Sequence, residues 1–365
     1  MHPKTKIRIK QLLFTFVAIV GALLILEGIT RVLNLPAKPL GKYGKMSDDE
    51  FVEDHPQIFW KMRPNVHIVQ ETFEFTTNSL GLRDDEIAIP KPKNTFRVLC
   101  LGESTTFGAS VPQNGTYAQV AEQTLNTEGG PIHYDVINGG FSASSSFQAL
   151  QWTKIYGDQL EPDVVVLYYL GNDLMPSFVR ANFLFSRGFD LTDRQLFELR
   201  NRSSGWLYFF EHSMLYKTIK HLIVGRMRHD AELRHSQWVD KNSAARPEWP
   251  SRVPNDDRNY VLGEFLKWCN DRGIRLLVMF PCYITSTMDP VYQDDLLFRW
   301  TRSHNVPMLD CVPLLHNAGI SWDVLFKKEI DTHPSPEAHA VMGKALAQFI
   351  LANKQGAQYH PPTTP

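Results

Sequence analysis

A short apolar run at residues 163–170 (DVVVLYYL) constrains the fold of this chain more than any other feature. After its first residue the run carries no charged side chain, which is typical of a strand that protein covers on both faces. Strands of that kind occur in parallel sheets, whose connections are helices that lie on the two faces. The run therefore favours an α/β fold, provided that further strands and helices alternate around it.

Further apolar runs do alternate with segments of helical spacing. Four more strands are expected at 97–102, 134–138, 274–280 and 306–312. Helices are expected at 115–127, 144–160, 256–272, 290–303 and 336–353. This alternation predicts an α/β fold, a three-layer α/β/α flavodoxin-like sandwich with a mostly five-stranded parallel sheet.

The first 36 residues form a separate unit. A basic cluster at 4–10 precedes an uncharged apolar run at 12–26, and apolar residues continue to Pro36. A bilayer core needs about 20 apolar residues, and snorkelling ends extend the shorter uninterrupted run. No A-x-A site and no cysteine follows the run, which disfavours a cleaved signal peptide and excludes a lipoprotein. We expect an uncleaved transmembrane anchor; a cleaved signal and a buried core helix are the alternatives.

The charges that flank the apolar run predict its orientation. The basic cluster is denser and closer to the run than Arg31 and the lysines at 38, 42 and 45. The positive-inside rule therefore places the N-terminus in the cytoplasm and the body of the protein outside it.

Changes in composition divide the rest of the chain into a membrane-proximal segment, a main domain with an insertion, and a tail. Residues 37–95 are polar and rich in proline, and we expect a membrane-proximal segment of strand and loop there. Residues 96–353 carry the alternating elements, with an insertion at 174–253 in which 207–223 has the pattern of an amphipathic helix. Connections this long usually form a cap, a lid or a binding surface, and a structural subdomain is the alternative. The tail, 354–365, has the composition of disorder.

Charge and cysteine content argue against several functions. The net charge of −1 leaves no basic excess for a phosphate backbone, so no nucleic-acid partner is expected. Four cysteines, none in a C-x-x-C pair, are too few for a disulfide scaffold or a structural zinc site. His333 and His339 lack acidic or cysteine partners at metal spacing, and no nucleotide-binding glycine motif is present. We therefore expect no metal and no cofactor.

Four polar motifs, LGESTTFG, INGGFSASS, YYLGND and DTHPSPEAH, follow predicted strands or precede the last helix. Functional groups collect at the carboxyl ends of parallel strands, so we expect these motifs to converge. A serine hydroxyl becomes a nucleophile when a base takes its proton, and His333 is placed to do this for Ser104. Asp331 is expected to hold the imidazole. The backbone amides of Ser104 and Gly140 and the side-chain amide of Asn172 are expected to form an oxyanion hole.

The four motifs, in this order, resemble the Ser, Gly, Asn and His blocks of the SGNH (GDSL) hydrolases. The resemblance covers roughly residues 95–353, and TTNSLGLRDDE at 76–86 is similar to the lead-in of membrane-anchored bacterial members. It implies a serine hydrolase that acts on an acylated glycan or lipid of the cell envelope, most simply an O-acetyl ester. It also implies a bacterial inner-membrane protein with its catalytic domain on the periplasmic side. Some anchored relatives work with a membrane-bound O-acyltransferase, which is therefore a candidate partner.

The sequence departs from the family pattern at several positions. The usual GDS is GES here, with Glu103, from which we expect little loss. The usual D-x-x-H spacing is D-x-H, because Ile330 occupies the family position, so Asp331 is the expected acid and Glu329 a weaker candidate. Gly140 is preferred to Gly139 by alignment with N-x-G. An α/β-hydrolase elbow, G-x-S-x-G, is excluded because residue 106 is threonine.

Three functions remain open at this point. The first is an esterase, in which water takes the acyl group from Ser104. The second is an O-acetyltransferase on an envelope polysaccharide, working with a membrane acyltransferase; it shares the same triad. The third is a non-catalytic SGNH-like module that binds a glycan or a partner, which the presence of all four blocks disfavours.

Overall fold

The computed structural model describes residues 3–33, 35, 51–55, 57–69, 74–109, 111–142, 144–169, 173, 192–202, 213–216, 218–219, 254–280, 296–320 and 333–354. The strands are β1 (Val52–His55), β2 (Phe59–Met62), β3 (His67–Val69), β4 (Glu74–Thr76), β5 (Thr95–Gly102), β6 (His133–Gly140), β7 (Val164–Tyr168), β8 (Arg275–Phe280) and β9 (Met308–Asp310). The helices are α1 (Pro3–Val32), α2 (Ser104–Phe107), α3 (Tyr117–Glu128), α4 (Ser146–Leu160), α5 (Asp193–Arg202), α6 (Asn255–Asn270), α7 (Leu296–Ser303), α8 (Cys311–Asn317) and α9 (Pro336–Asn353).

A five-stranded sheet forms the centre of the molecule. Its strand order is β6-β5-β7-β8-β9, and every neighbouring pair is parallel. Counted within the sheet this is the order 2-1-3-4-5 of flavodoxin-like folds. All residues of β5 and β7 are buried, as the uncharged apolar runs require. The predicted α/β fold is confirmed.

Helices cover both faces of the sheet. Leu99 and Leu101 of β5 belong to one hydrophobic cluster, together with residues of α4 and α6. Val98 and Cys100 belong to a second cluster, which holds residues of α3 and α9. Successive side chains of a strand point to opposite faces, so the two clusters are the two cores of a three-layer sandwich.

Local capping fixes where the helices on these faces begin. Ser145 and Gln148 form a capping box at the start of α4. The Thr116 side chain caps α3, and the Ser335 side chain caps α9, which has proline at its first position. The cap of α4 at Ser145 lies close to the end of β6 at Gly140, and the cap of α9 at Ser335 lies two residues after His333.

The last strand is shorter than the apolar pattern of 306–312 predicts. β9 ends at Asp310, and α8 begins at Cys311. The Asp310 carboxylate accepts a hydrogen bond from the amide of Val312 at 3.0 Å and so caps the new helix. Apolar residues 311 and 312 are buried in a helix rather than in a strand, which periodicity over so short a run does not distinguish.

The described part of the predicted membrane-proximal segment contains two antiparallel strand pairs, β1–β2 and β3–β4. Phe51, Ile58, Phe75 and Leu82 are buried in the same cluster as the β5 side chains. The described residues between 51 and 95 therefore contribute to the core of the sheet domain.

Helix α1 lies at the N-terminus. Its stretch Lys10–Val32, of 23 residues, is long and apolar enough to cross a membrane. Of the predicted insertion, the structure describes Thr192, α5, and residues 213–216 and 218–219. The rest of 174–253, most of the predicted helix at 207–223, and the tail after Lys354 lie outside the described residues.

Candidate active site

Ser104 stands at the carboxyl edge of the sheet, just after the inner strand β5. β5 ends at Gly102, and Ser104 is the first residue of α2. Gly108 ends this short helix in the left-handed conformation, with φ of 82°, which glycine adopts without steric cost. The amide of Ser104, as the first of a helix, has no acceptor within that helix.

His333 approaches Ser104 from a remote part of the chain. It stands just before α9, whose N-cap is Ser335. Its Nε2 lies 2.8 Å from Oγ of Ser104, although 229 positions separate the two residues. The structure thus places the predicted base in hydrogen-bond contact with the predicted nucleophile.

Glu103 gives the Ser104 hydroxyl a second partner, which sequence reasoning missed. Its Oε2 accepts a hydrogen bond from Oγ of Ser104, and its side chain is buried. A hydroxyl has one proton and donates it to one acceptor at a time. The imidazole and the carboxylate therefore compete for the Ser104 proton. The signal in the sequence was the departure from GDS to GES.

Gly140 lies against α2, the short helix that begins with Ser104 and is called the nucleophile helix below. It pairs with Gly102 at the end of β6, and a Cβ at this position would lie 2.2 Å from the Phe107 nitrogen. Its own amide donates to Oδ1 of Asn138 at 3.1 Å. In the structure the acceptor of this amide is Asn138, and the use of the amide in an oxyanion hole stays a prediction. The role that the geometry supports for Gly140 is steric.

Asp331 and Asn172 lie outside the described residues, as do Glu329 and Ile330. Their predicted roles in holding the imidazole and binding an oxyanion stay predictions.

Arg83 supports the opposite end of the nucleophile helix. Its guanidinium is buried and donates to the carbonyls of Phe107 at 2.9 Å, Gly108, and Val111 at 2.5 Å. It also lies 5.1 Å from the centre of the Phe107 ring. Burial lowers the pKa of Arg83 to about 10, so the group is still charged at neutral pH. A positive charge at the carbonyl end of a helix is favourable.

Asp84, the next residue, supports the strand that carries Gly140. Its Oδ2 accepts from the Asn138 amide at 2.7 Å, and its Oδ1 accepts from Gln119 Nε2 and the Asp85 amide, both at 2.8 Å. Burial raises the pKa of Asp84 to about 8, although these donors favour the ionised form, and the charge of Glu122 raises it further. Neither Arg83 nor Asp84 was predicted as a site residue. The signal was the TTNSLGLRDDE segment, to which the family resemblance assigned no role.

His339 is a buried, uncharged histidine in the first turns of α9, close to His333 in the sequence. Its Nδ1 accepts from the Tyr117 amide at 3.0 Å, and its ring stacks on that of Tyr117. Burial lowers the pKa of His339 to about 3, and the charges of Arg83 and His333 lower it further. Within the part of the chain that the structure describes, no group of three His, Cys, Asp or Glu side chains is arranged to hold a metal ion.

A buried polar cluster joins the insertion to the edge of the site. Asp173 accepts from the Ser146 amide at 2.5 Å, and burial raises the pKa of this carboxyl to about 7. Asp193, the first residue of α5, accepts from Ser145 Oγ. Arg194 donates to Asp257 of α6 at 3.2 Å. These contacts hold α5 beside the first turns of α4 and α6.

Comparison with known proteins gives matches among solved structures only; no family model and no curated protein matches the chain. One solved structure is a lipolytic protein of the G-D-S-L family from Desulfitobacterium hafniense, with 13% identity over 69% of this chain and 98% of that one, and a TM-score of 0.40. A lipase/acylhydrolase from Enterococcus faecalis has 13% identity over 70% and 96%, with a TM-score of 0.40. A two-domain esterase active on acetylated mannans has 14% identity over 73% and 52%, with a TM-score of 0.37.

Proposed function

We propose that this chain is a serine esterase of the SGNH (GDSL) class that cleaves an O-acyl ester through an acyl-enzyme. The observation that carries the proposal is the 2.8 Å contact between His333 Nε2 and Ser104 Oγ at the carboxyl edge of the parallel sheet. A hydroxyl is a weak nucleophile until a neighbouring base takes its proton, and this contact supplies the base.

The reaction has two halves. In the first, Nε2 of His333 takes the Oγ proton of Ser104 while Oγ attacks the ester carbonyl carbon. The tetrahedral intermediate collapses, its bond to the alcohol oxygen breaks, and the imidazolium gives its proton to the departing alcohol. In the second, His333 takes a proton from water while the water oxygen attacks the acyl carbon. The bond between that carbon and Oγ of Ser104 then breaks, the imidazolium returns its proton to Oγ, and the carboxylic acid leaves.

Three further groups complete the proposed machinery: one carboxylate and two amides. Asp331 holds the imidazole in the tautomer that leaves Nε2 free to accept a proton. The amide of Ser104 and the side-chain amide of Asn172 donate to the oxyanion of the intermediate. Gly140 is left out of the donor set, since its amide is engaged by Asn138. Its contribution is to let β6 pack against α2.

Glu103 sets the resting orientation of the hydroxyl. While the Ser104 proton points to the Glu103 carboxylate, Nε2 of His333 has no proton to take. The hydroxyl must rotate toward the imidazole before attack. The same carboxylate lies near the imidazolium that forms in the reaction, and its negative charge favours the protonated ring.

The proposed substrate is an O-acyl ester, most simply O-acetyl, on a glycan or lipid of the bacterial cell envelope. The location that we propose follows from α1, which serves as a single-pass anchor in the inner membrane with the sheet domain on the periplasmic side. The length and exposure of its apolar residues and the basic cluster before them support this placement.

The test is hydrolysis of p-nitrophenyl acetate by the full-length protein in detergent. Ser104→Ala and His333→Ala are expected to lose several orders of magnitude in kcat/KM, because the two residues act as one unit. Ser303→Ala and His316→Ala, which change exposed residues on α7 and α8, serve as matched controls and keep full activity. Equal turnover by wild type and Ser104→Ala would reject the proposal.

Product analysis with an acetylated glycan and a second, unacetylated glycan then separates water from sugar as acceptor. Free acetate alone supports an esterase. Acetyl groups on the second glycan would replace the esterase with an acetyltransferase that uses the same residues, for which a membrane-bound O-acyltransferase is the natural supplier of acyl groups.

A further inference from the structure

The last turns of α1 are covered on one face by the insertion. The carboxylate of Glu27 accepts hydrogen bonds from Ser213 Oγ at 2.7 Å, the Met214 amide at 3.0 Å and the Leu215 amide at 2.9 Å. Arg31 also donates to it at 2.8 Å. Thr30, three positions along the same face, is only 6% exposed, whereas apolar residues on the other faces of α1 are exposed.

Glu27 caps a helical turn of the insertion. Residues 214–216 are helical, and the first amides of a helix have no acceptors within it. Two of these amides donate to Glu27. Ser213 adds a local cap, since its Oγ accepts from the Tyr216 amide at 3.1 Å. A carboxylate is a favourable acceptor at this end of a helix because the helix dipole is positive there.

The position of Glu27 along α1 fixes the depth of this contact. At 1.5 Å per residue, Glu27 lies about 26 Å from Lys10 along the helix axis, close to the far boundary of a hydrocarbon core of about 30 Å. An unpaired carboxylate at that depth is costly, and charged groups there are paired with other polar groups. The Glu27 carboxylate has such partners in Arg31 and residues 213–215.

We propose that residues 213–216, 218 and 219 dock at the membrane–water interface on the periplasmic side of the inner membrane. The partner is the lipid surface around α1, and the contact with Glu27 holds these residues there. This inference rests on the proposed anchoring of α1. Ile219 is 47% exposed beside this turn, which leaves an apolar side chain for lipid. The sequence around it, WLYFFEHSMLYKTIKH at 206–221, combines aromatic, aliphatic and basic residues as interfacial segments do.

The docking has a consequence for substrate access. The insertion follows Asp173, next to the site, and its helix α5 contacts the first turns of α4 and α6. With residues 213–216, 218 and 219 in the interface, one described part of the insertion lies at the bilayer surface, while another, α5, lies against α4 and α6 of the sheet domain. The ester that reaches Ser104 is then one presented at the membrane surface.

The test measures the depth of residue 219 in the full-length protein. Ile219→Cys is labelled with the fluorophore NBD in a Cys282→Ser background; Cys100, Cys269 and Cys311 are buried. The protein is reconstituted in vesicles of phosphatidylethanolamine and phosphatidylglycerol with a lipid that carries a quencher near its headgroup. The matched control is Ile155→Cys, a partly exposed isoleucine on α4 of the sheet domain.

The expected result is quenching of the label at 219 and none at 155. Adding Glu27→Ala should abolish the quenching at 219 and shift the emission to the red, and Glu27→Gln, which keeps one acceptor oxygen, should give an intermediate loss. Turnover of soluble p-nitrophenyl acetate, unchanged in both variants, shows that they are folded.

Three outcomes would overturn the inference. An unquenched label at 219 in a protein that resists alkaline carbonate extraction would reject the docking and leave the anchor intact. Quenching that persists in Glu27→Ala would show that the contact with Glu27 does not hold these residues at the membrane. Release of the wild type by carbonate would reject the anchor and the docking together. A wild-type protein that shows no Ser104-dependent hydrolysis would reject the proposed reaction and would leave the docking result unaffected.

Discussion

The guanidinium of Arg83 donates to the carbonyl of Phe107 at 2.9 Å, at the end of the four-residue helix that begins with Ser104. A residue from the segment before the sheet thus fixes the position of the nucleophile. Four carbonyls accept from this one side chain: those of Phe107, Gly108 and Val111, and, at 3.4 Å, that of Glu74.

Replacing Arg83 with lysine is therefore expected to lower both stability and kcat. A lysine ammonium is a single point and does not span four separate carbonyls. Carbonyls left without a donor cost about 1–3 kcal/mol, which urea unfolding would detect. Well below the unfolding midpoint, kcat should fall while KM for a small ester changes little, since Arg83 acts through Ser104. Arg302→Lys, at an exposed position on α7, is the control. Full activity in a stable Arg83→Lys protein would refute this positioning role.

Gly140→Ala is expected to displace the nucleophile helix. The added Cβ would meet the Phe107 nitrogen at 2.2 Å and the Thr106 carbonyl carbon at 2.5 Å, both of them backbone atoms that do not rotate away. We expect a destabilisation of about 1–3 kcal/mol and a marked loss of esterase activity. Gly263→Ala provides the matched control, because nothing lies within 4 Å of its added Cβ and alanine is favoured in a helix. Wild-type behaviour of Gly140→Ala would contradict the close packing of β6 on α2.

Glu103→Gln is expected to move the acid limb of the pH dependence of kcat/KM to lower pH. A negative charge beside an imidazole favours its protonated form, which is unable to act as a base. Removing that charge leaves the imidazole neutral at lower pH. The profile of p-nitrophenyl acetate hydrolysis between pH 4 and 9 measures the shift, with Glu198→Gln on α5 as a control. An unmoved acid limb would place Glu103 outside the electrostatic reach of His333.

Stability is expected to fall as pH rises from 6.5 to 8. Burial raises the pKa of Asp84 to about 8 and those of Glu122 and Asp173 to about 7. Each of these carboxyls keeps a proton in the folded state that it loses on unfolding, so its stabilisation is complete below pH 4 and is lost through pH 7–8. His339, with its pKa lowered to about 3, has the opposite effect, but only below its unfolded value of 6.5.

Urea unfolding at pH 6.5 and pH 8 should therefore differ by on the order of 1–3 kcal/mol, with the lower value at pH 8. Asp84→Asn removes one of the three titrations and should reduce the difference. A stability that rises over this interval would mean that the hydrogen bonds to Asp84, and not its burial, set the pKa of that carboxyl.

The fold was predictable because most strands of the sheet have an apolar stretch bounded by glycine or polar residues, as in β5, β7 and β8. Residues 163–170 alone indicated a strand buried on both faces. The alternation of strands and helices along the chain then predicted the parallel sheet and the α/β class. The end of β9 was not predictable from periodicity, because the carboxylate of Asp310 caps a helix where the apolar pattern continues.

The contact of Ser104 with His333 followed from the rule that functional groups gather at the carboxyl ends of parallel strands. The supporting roles of Arg83 and Asp84 did not follow from this rule, because neither residue is at a strand end. A single sequence also does not show which backbone groups a buried side chain contacts. Gly140 was expected to donate its amide to an oxyanion, and the structure adds a steric requirement that the sequence did not show, because a Cβ at this position would meet the backbone of α2. A glycine that is needed for its amide and a glycine that is needed because it lacks a Cβ are the same residue type, so the sequence does not distinguish them.

The most direct measurement is covalent labelling of the full-length protein with a fluorophosphonate, followed by mass spectrometry of the peptides. An activated serine attacks the phosphorus and displaces fluoride, so the label identifies the nucleophile without knowledge of the substrate. We predict a single phosphonate on Ser104, much slower labelling of His333→Ala and none of Ser104→Ala. A folded wild-type protein that takes no label on Ser104, or that takes it on another serine, would contradict the serine esterase proposed for this chain.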